Sequence, residues 1–184
     1  MSDTVAVVDT CCLVNLCAVD EPSRLLPQFG ITWHVPRTVV DEGLYIRVEA
    51  DGVPAPKRKI ELTSSFEDRS IFACDILGLE EASLYVELSR ALDDGEAMGL
   101  AIAKVRGWVL ATDDRHGRKR AADLSVEVIT TPQLMRRWAE LNTVSEQHLA
   151  GALLRIQKLA RFVPAADFPE YDWWSRAIGD LGRS

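Results

Sequence analysis

Short runs that are apolar on both faces alternate along this chain with stretches in which apolar positions recur every three or four residues. Residues 4–8 (TVAVV) are continuously apolar, mostly β-branched and bounded by acids, which predicts a strand buried on both faces of a parallel sheet. The run stops at Asp9-Thr10, and CCLVNLCAV starts a helix. Pro22 opens another helical stretch, and residues 31–35 read as a second strand. Pro36 suits the first position of a helix, and RTVVDEGLYIRVEA continues with helical spacing. Residues 51–58 (DGVPAPKR) predict a loop and residues 59–63 a third strand.

A helix is expected over 80–92, and a second from the cap cluster Asp93-Asp94-Gly95 to a terminating Gly107. The strand Trp108-Val109-Leu110-Ala111 follows and stops at Thr112-Asp113-Asp114. RHGRKRAADL predicts a short helix, SVEVIT a last strand and residues 132–140 another helix. Residues 143–162 and 169–181 add two more helices. Strands alternating with helices imply parallel strands and right-handed crossovers, hence a three-layer α/β/α sandwich around a central parallel sheet. The expected organisation is one domain over residues 1–141 with a helical C-terminal extension over 142–184 packed on it.

Composition narrows the chemistry. With 47% apolar and 27% charged residues in 184, the chain is neither disordered nor collagen-like, and it needs no disulfide staples. Its four cysteines show no Cys-x-x-Cys spacing, so they read as small buried hydrophobes of a reducing compartment. Met1-Ser2-Asp3-Thr4 lacks a basic leader and no apolar run is long enough to span a bilayer; a cytoplasmic protein without membrane contact is expected. A net charge of −7 gives no global basic field, so any nucleic acid must be held by a local basic cluster or by bridging metal ions. There is no Gly-rich phosphate loop and no nucleophile elbow, and the histidines are only His34, His116 and His148.

The placement of the acids is the informative feature. Asp9 follows one predicted strand directly, and Asp113 and Asp114 follow another. In a parallel sheet both positions emerge at the carboxyl edge, where α/β proteins bind ligands. Glu96 opens the helix that leads into the Trp108 strand, so it returns to that edge, and Glu42 lies about 1.7 turns into the helix after Pro36. Clustered carboxylates raise one another's pKa unless a cation sits among them, and an all-carboxylate set suits Mg2+ or Mn2+ rather than zinc. Asp and Glu at strand ends and helix starts also serve as caps.

These segments together resemble the PIN-domain family of metal-dependent ribonucleases over roughly residues 4–130. VVDTCCLVNL resembles the first motif of that family, VPRTVVDEGL the second with Glu42, LDDGEAMGLAIA the third with Glu96, and LATDDRHGRKRA the fourth. Glu96 stands where many relatives carry Asp, and the fourth acid is Asp113 or Asp114, the T-x-D register pointing to Asp114. The resemblance implies that Asp9, Glu96 and Asp114, with Asp113, hold one or two Mg2+ or Mn2+ ions that activate water for in-line attack on a phosphodiester. It gives Glu42 the task of completing the site and Thr112 that of a hydrogen-bonding support. Arg115, Arg118, Lys119 and Arg120 follow at once and would contact RNA phosphates, or form a solvated helix face. Small proteins of this family look most like VapC-type toxins, which implies a small antitoxin as inhibitor and a homodimer. The competing expectation is a catalytically inactive PIN-like module that binds RNA or a protein. A haloacid-dehalogenase phosphatase is excluded, because Asp9 is followed by Thr10-Cys11 with no second Asp.

Overall fold

The β-branched run at the start of the chain does form the central strand, and the rest of the domain is arranged about it. The structure, a computed structural model, describes residues 4–47 and 57–179. Its first elements are β1 (Thr4–Val8), α1 (Thr10–Cys17), α2 (Pro22–Leu25), a 3-10 turn (Leu26–Phe29), β2 (Ile31–Pro36) and α3 (Arg37–Glu42). Then come β3 (Leu44–Arg47), β4 (Lys57–Ile60), α4 (Thr63–Glu67), β5 (Phe72–Cys74), α5 (Leu79–Leu88), α6 (Asp94–Arg106) and β6 (Val109–Ala111). The chain continues through α7 (Arg115–Asp123), β7 (Val128–Ile129), α8 (Thr131–Leu141), α9 (Glu146–Arg155), a π-helical turn (Ile156–Ala160) and α10 (Tyr171–Gly179).

Five strands form one sheet in the order β5-β2-β1-β6-β7, and every adjacent pair in it is parallel. The α/β/α sandwich expected from the sequence is therefore the fold. Side chains of β1 alternate between two cores: Ala6 and Val8 join the cluster with Leu13, Leu134, Leu153 and Trp174, and Val7 joins that of Leu88, Leu100, Ile102 and Ala121. Helices α1, α8, α9 and α10 thus cover one face, and α5, α6 and α7 the other. The chain moves outward from β1 to β2 and β5, then crosses back to β6 and β7. The reversal lies between β1 and β6, and in open α/β sheets the crevice at such a switch point takes the ligand.

Four local expectations change. The helical spacing after Pro36 lasts only to Glu42; Gly43, with φ +73°, turns the chain, and Leu44–Arg47 pairs antiparallel with Lys57–Ile60. The strand expected at 59–63 is thus half of a separate hairpin, and of the expected loop over 51–58 residues 51–56 lie outside the described residues. Alternating burial along β3 (buried, exposed, buried, half-buried) explains the change: LYIR fits a two-faced hairpin as well as a helix. Phe72–Cys74 forms an edge strand the sequence pattern did not announce, and SVEVIT contributes only Val128–Ile129.

Candidate metal centre at the carboxyl edge

Asp9 ends the central strand and begins α1 in the same residue. Its backbone N–H donates to the Ala111 carbonyl (3.0 Å), extending the β1–β6 ladder one step and setting Asp9 beside Thr112. Its side chain caps α1, with Oδ1 accepting from the Cys12 N–H at 2.9 Å, and the Thr112 hydroxyl donates to Oδ2. The Cys11 thiol lies 3.0 and 3.1 Å from the two carboxylate oxygens. Asp9 is only 5% exposed. Burial raises its pKa to about 6 against these donors, and the neighbouring charge of Asp113 adds to the rise.

Glu96 reaches the same place from the other side of the sheet. Asp93 caps α6, its Oδ1 accepting from the Glu96 N–H at 2.8 Å, so the carboxylate of Glu96 sits in the first helical turn. A Cβ on Gly95 would lie 3.1 Å from Val39 Cγ2, so glycine lets the start of α6 approach α3 closely. The Glu96 pKa is raised to about 7, first by burial, then by the charges of Asp93, Asp114 and Asp9. Four carboxylates from three segments therefore share one electrostatic neighbourhood. Asp9, Asp93 and Glu96 line a cleft of about 440 Å3 together with Thr10, Cys11, Val14, Asn15 and residues 160–162.

The adjacent acids Asp113 and Asp114 take different positions. Asp113 accepts from Asn15 Nδ2 (2.9 Å), from the Thr131 N–H (2.8 Å) and hydroxyl, and from the Cys12 thiol (3.2 Å), so it ties α1 to α8. Asp114 caps α7 through one oxygen, accepting from the Gly117 N–H at 2.8 Å, and its backbone N–H donates to Thr112 Oγ1 at 3.1 Å. Thr112, 2% exposed, thereby links Asp9 to Asp114. Glu42 closes α3, and its side chain lies outside the described residues.

The donor set fits a hard divalent cation. Carboxylate oxygens and water suit Mg2+ or Mn2+. The sulfurs of Cys11 and Cys12 come within 4.8 Å of an Asp9 oxygen and of each other. Burial, above all, pushes the Cys12 thiol well up, so it stays protonated and donates rather than ligates. Of the four free cysteines, Cys12 and Cys74 are buried as the sequence suggests and Cys11 and Cys17 are half-buried, and Cys11 and Cys12 also serve the acids.

The basic cluster divides. Arg118 pairs with Asp167 (3.5 Å) and lies over the Phe168 ring (4.1 Å), fastening the C-terminal segment to α7. Arg120 pairs with Asp123 at 3.8 Å. Arg115 and Lys119 are exposed, and Arg115 lines a second cleft of about 520 Å3 with Asp113, Arg118 and Phe162. Asp93, Cys11, Asn15 and Arg161 were not singled out as site residues by the sequence; only Asp93 carried a signal, as a cap.

Among the described residues no helix is long and apolar enough to cross a membrane. No curated protein and no solved structure matches the chain. A family model described as a PIN domain matches residues 5–166.

Proposed function

The chain belongs to the PIN-domain family, a nuclease fold, and from that premise we propose that it is a Mg2+- or Mn2+-dependent ribonuclease. The observation that carries this reading is the convergence of Asp9 and Glu96 on one cleft, each carboxyl raised, to about 6 and about 7, by burial and by neighbouring acids. Asp9, Glu96 and Asp114 hold the cation. When bound, a divalent ion supplies the positive charge and Lewis acidity that phosphodiester hydrolysis requires.

The chain's own residues prepare the site. Thr112 fixes the Asp9 carboxylate and the Asp114 backbone in one register. Asp93 holds the first turn of α6 so that Glu96 faces Asp9 and Asp114. Asp113 ties α1 to α8 and so braces the helix that Asp9 caps. Arg115 and Lys119, exposed beside Asp114, take flanking phosphates. The protein acts as the toxin of a toxin–antitoxin pair: a small protein partner covers the acidic cleft, and two copies of the domain pair.

The test is a cleavage time course on mixed RNA with Mn2+ or EDTA, using the wild type and Asp9→Asn. Cleavage that needs the metal and is lost in Asp9→Asn supports the nuclease. A folded, partner-free wild type inert on several RNAs turns the assignment to a binding module. Growth arrest on expression of the wild type but not of Asp9→Asn tests the toxin role, and a normal growth rate for both removes it.

A further inference from the structure

The C-terminal segment builds part of the lining of the cleft that holds Asp9, Asp93 and Glu96. Ala160, Arg161 and Phe162 line it, about 150 residues after Asp9 in the chain. Arg161 is exposed and, among the described residues, its side chain makes neither an ion pair nor a hydrogen bond. Of the cations on α7, Arg118 pairs with Asp167 and Arg120 with Asp123, while the exposed Arg115 and Lys119 do not line this cleft. An arginine in the lining of a cleft with three acids, its side chain bound to none of them, is available to an incoming anion.

Its backbone is placed deliberately. Helix α9 widens into the π-helical turn Ile156–Ala160, a distortion that recurs at functional sites. Arg161 then takes φ 59° and ψ 29°, the left-handed region that disfavours residues bearing a Cβ. Four non-glycine residues have positive φ among the described residues, and Arg161 is the one that lines this cleft.

The next residue holds the turn in place. Phe162 packs edge-on against Phe168 (6.2 Å) and Trp174 (5.9 Å), and Arg118 of α7 covers Phe168. The backbone of Arg161 is thus tied to the helix that Asp114 caps.

We propose that Arg161 contacts a phosphate of the single strand that enters the carboxylate cleft, supplying from the C-terminal segment the one positive side chain that lines that cleft among the described residues. This rests on the nuclease reading and deepens it. Arg161 adds geometry as well as charge: a planar fork grips two phosphate oxygens, which an ammonium does not.

Two measurements on the full chain test it. The first is fluorescence-anisotropy binding of a labelled single-stranded RNA of mixed sequence to Asp9→Asn protein, with and without Arg161→Gln, as a function of salt. Losing one phosphate contact is expected to flatten the slope of log K against log salt by about 0.7. The second is cleavage in Mn2+ by the wild type, Arg161→Gln, Arg161→Lys and Arg161→Gly, alongside the Mn2+ concentration that half-saturates the thermal shift of each.

Expected are a loss of about 100-fold in kcat/KM for Arg161→Gln and partial rescue by lysine. Arg161→Gly is expected to lose as much activity as Arg161→Gln with an undiminished melting temperature, which separates lost contact from lost fold. The Mn2+ midpoint stays within twofold throughout. An unchanged salt slope overturns the proposal whether or not the wild type cleaves. Activity of Arg161→Gln restored by saturating Mn2+ also overturns it, because Arg161 would then only tune the carboxylates. An inert wild type whose salt slope still depends on Arg161 removes the nuclease reading and leaves the phosphate contact standing.

Discussion

Asp9 and Glu81 are buried to the same degree, 5% and 4% exposed, and they behave in opposite ways. Glu81 grips Arg106 with both oxygens (2.7 and 3.1 Å) and accepts from the Leu77 N–H at 2.7 Å, so its pKa falls. Asp9 has donors too, but they are neutral: a thiol, a hydroxyl and an amide. Its nearest charged influence is another acid, and its pKa rises to about 6. Neutral hydrogen bonds offset the cost of burying the Asp9 charge only in part, whereas the guanidinium beside Glu81 offsets the corresponding cost fully. One end of the molecule holds its own counter-charge, and the other concentrates uncompensated acids where a ligand can reach them.

Asp9→Asn separates the two regions most sharply. Metal-dependent cleavage is expected to fall by at least about 10^3-fold, since a metal ligand is lost. The same change should stabilise the metal-free protein at pH 7.5 by about 2 kcal/mol, because a carboxyl raised to about 6 from 3.8 opposes folding once ionised. The sign follows from proton uptake. Between about pH 4 and 6 the folded state holds the Asp9 proton more firmly than the unfolded chain does, so wild-type stability falls as pH rises through that window. Melting temperatures of both proteins from pH 4.5 to 8 check this. Parallel curves would place the acid's cost elsewhere.

Arg106→Met makes the converse change. It leaves Glu81 buried with only the Leu77 amide and should cost about 3 kcal/mol in urea unfolding, with cleavage per folded molecule retained. Mn2+ at 100 times its Kd should add about 2.7 kcal/mol at pH 7.5 and much less at pH 5, where Asp9 and Glu96 bind protons instead. The smallest effect belongs to Asn15→Leu, which removes one charged hydrogen bond to Asp113 and should cost about 1.5 kcal/mol. A larger loss of Mn2+ affinity than of stability in that variant would make Asp113 a ligand rather than a brace between helices.

The strand-plus-acid signal made β1 and β6 legible because a run apolar on both faces has few alternatives and the next residue must leave the sheet. Glu96 was legible from the cap before it, since a helix that feeds a strand returns its start to the same edge. The hairpin β3–β4 was not, because LYIR satisfies helical and alternating patterns alike and its partner lies beyond a proline-rich stretch. Phe72–Cys74 is three residues long, too short to show a period. The different positions of Asp113 and Asp114 depend on Asn15 and Thr131, which no local spacing connects to them. Arg161 was invisible for the same reason at greater distance: the π-helical turn that precedes it leaves no compositional mark.

The aromatic fastening of Phe162, Phe168 and Trp174 also sets a timetable. During synthesis every strand and every acid of the cleft leaves the ribosome before Trp174 does, and the core beneath α1 and the support of Phe162 in the cleft lining lack that tryptophan until it emerges. A chain made only as far as α9 therefore carries its carboxylates on an unfinished scaffold, and the cleft is complete only after the segment that follows α9 has been made.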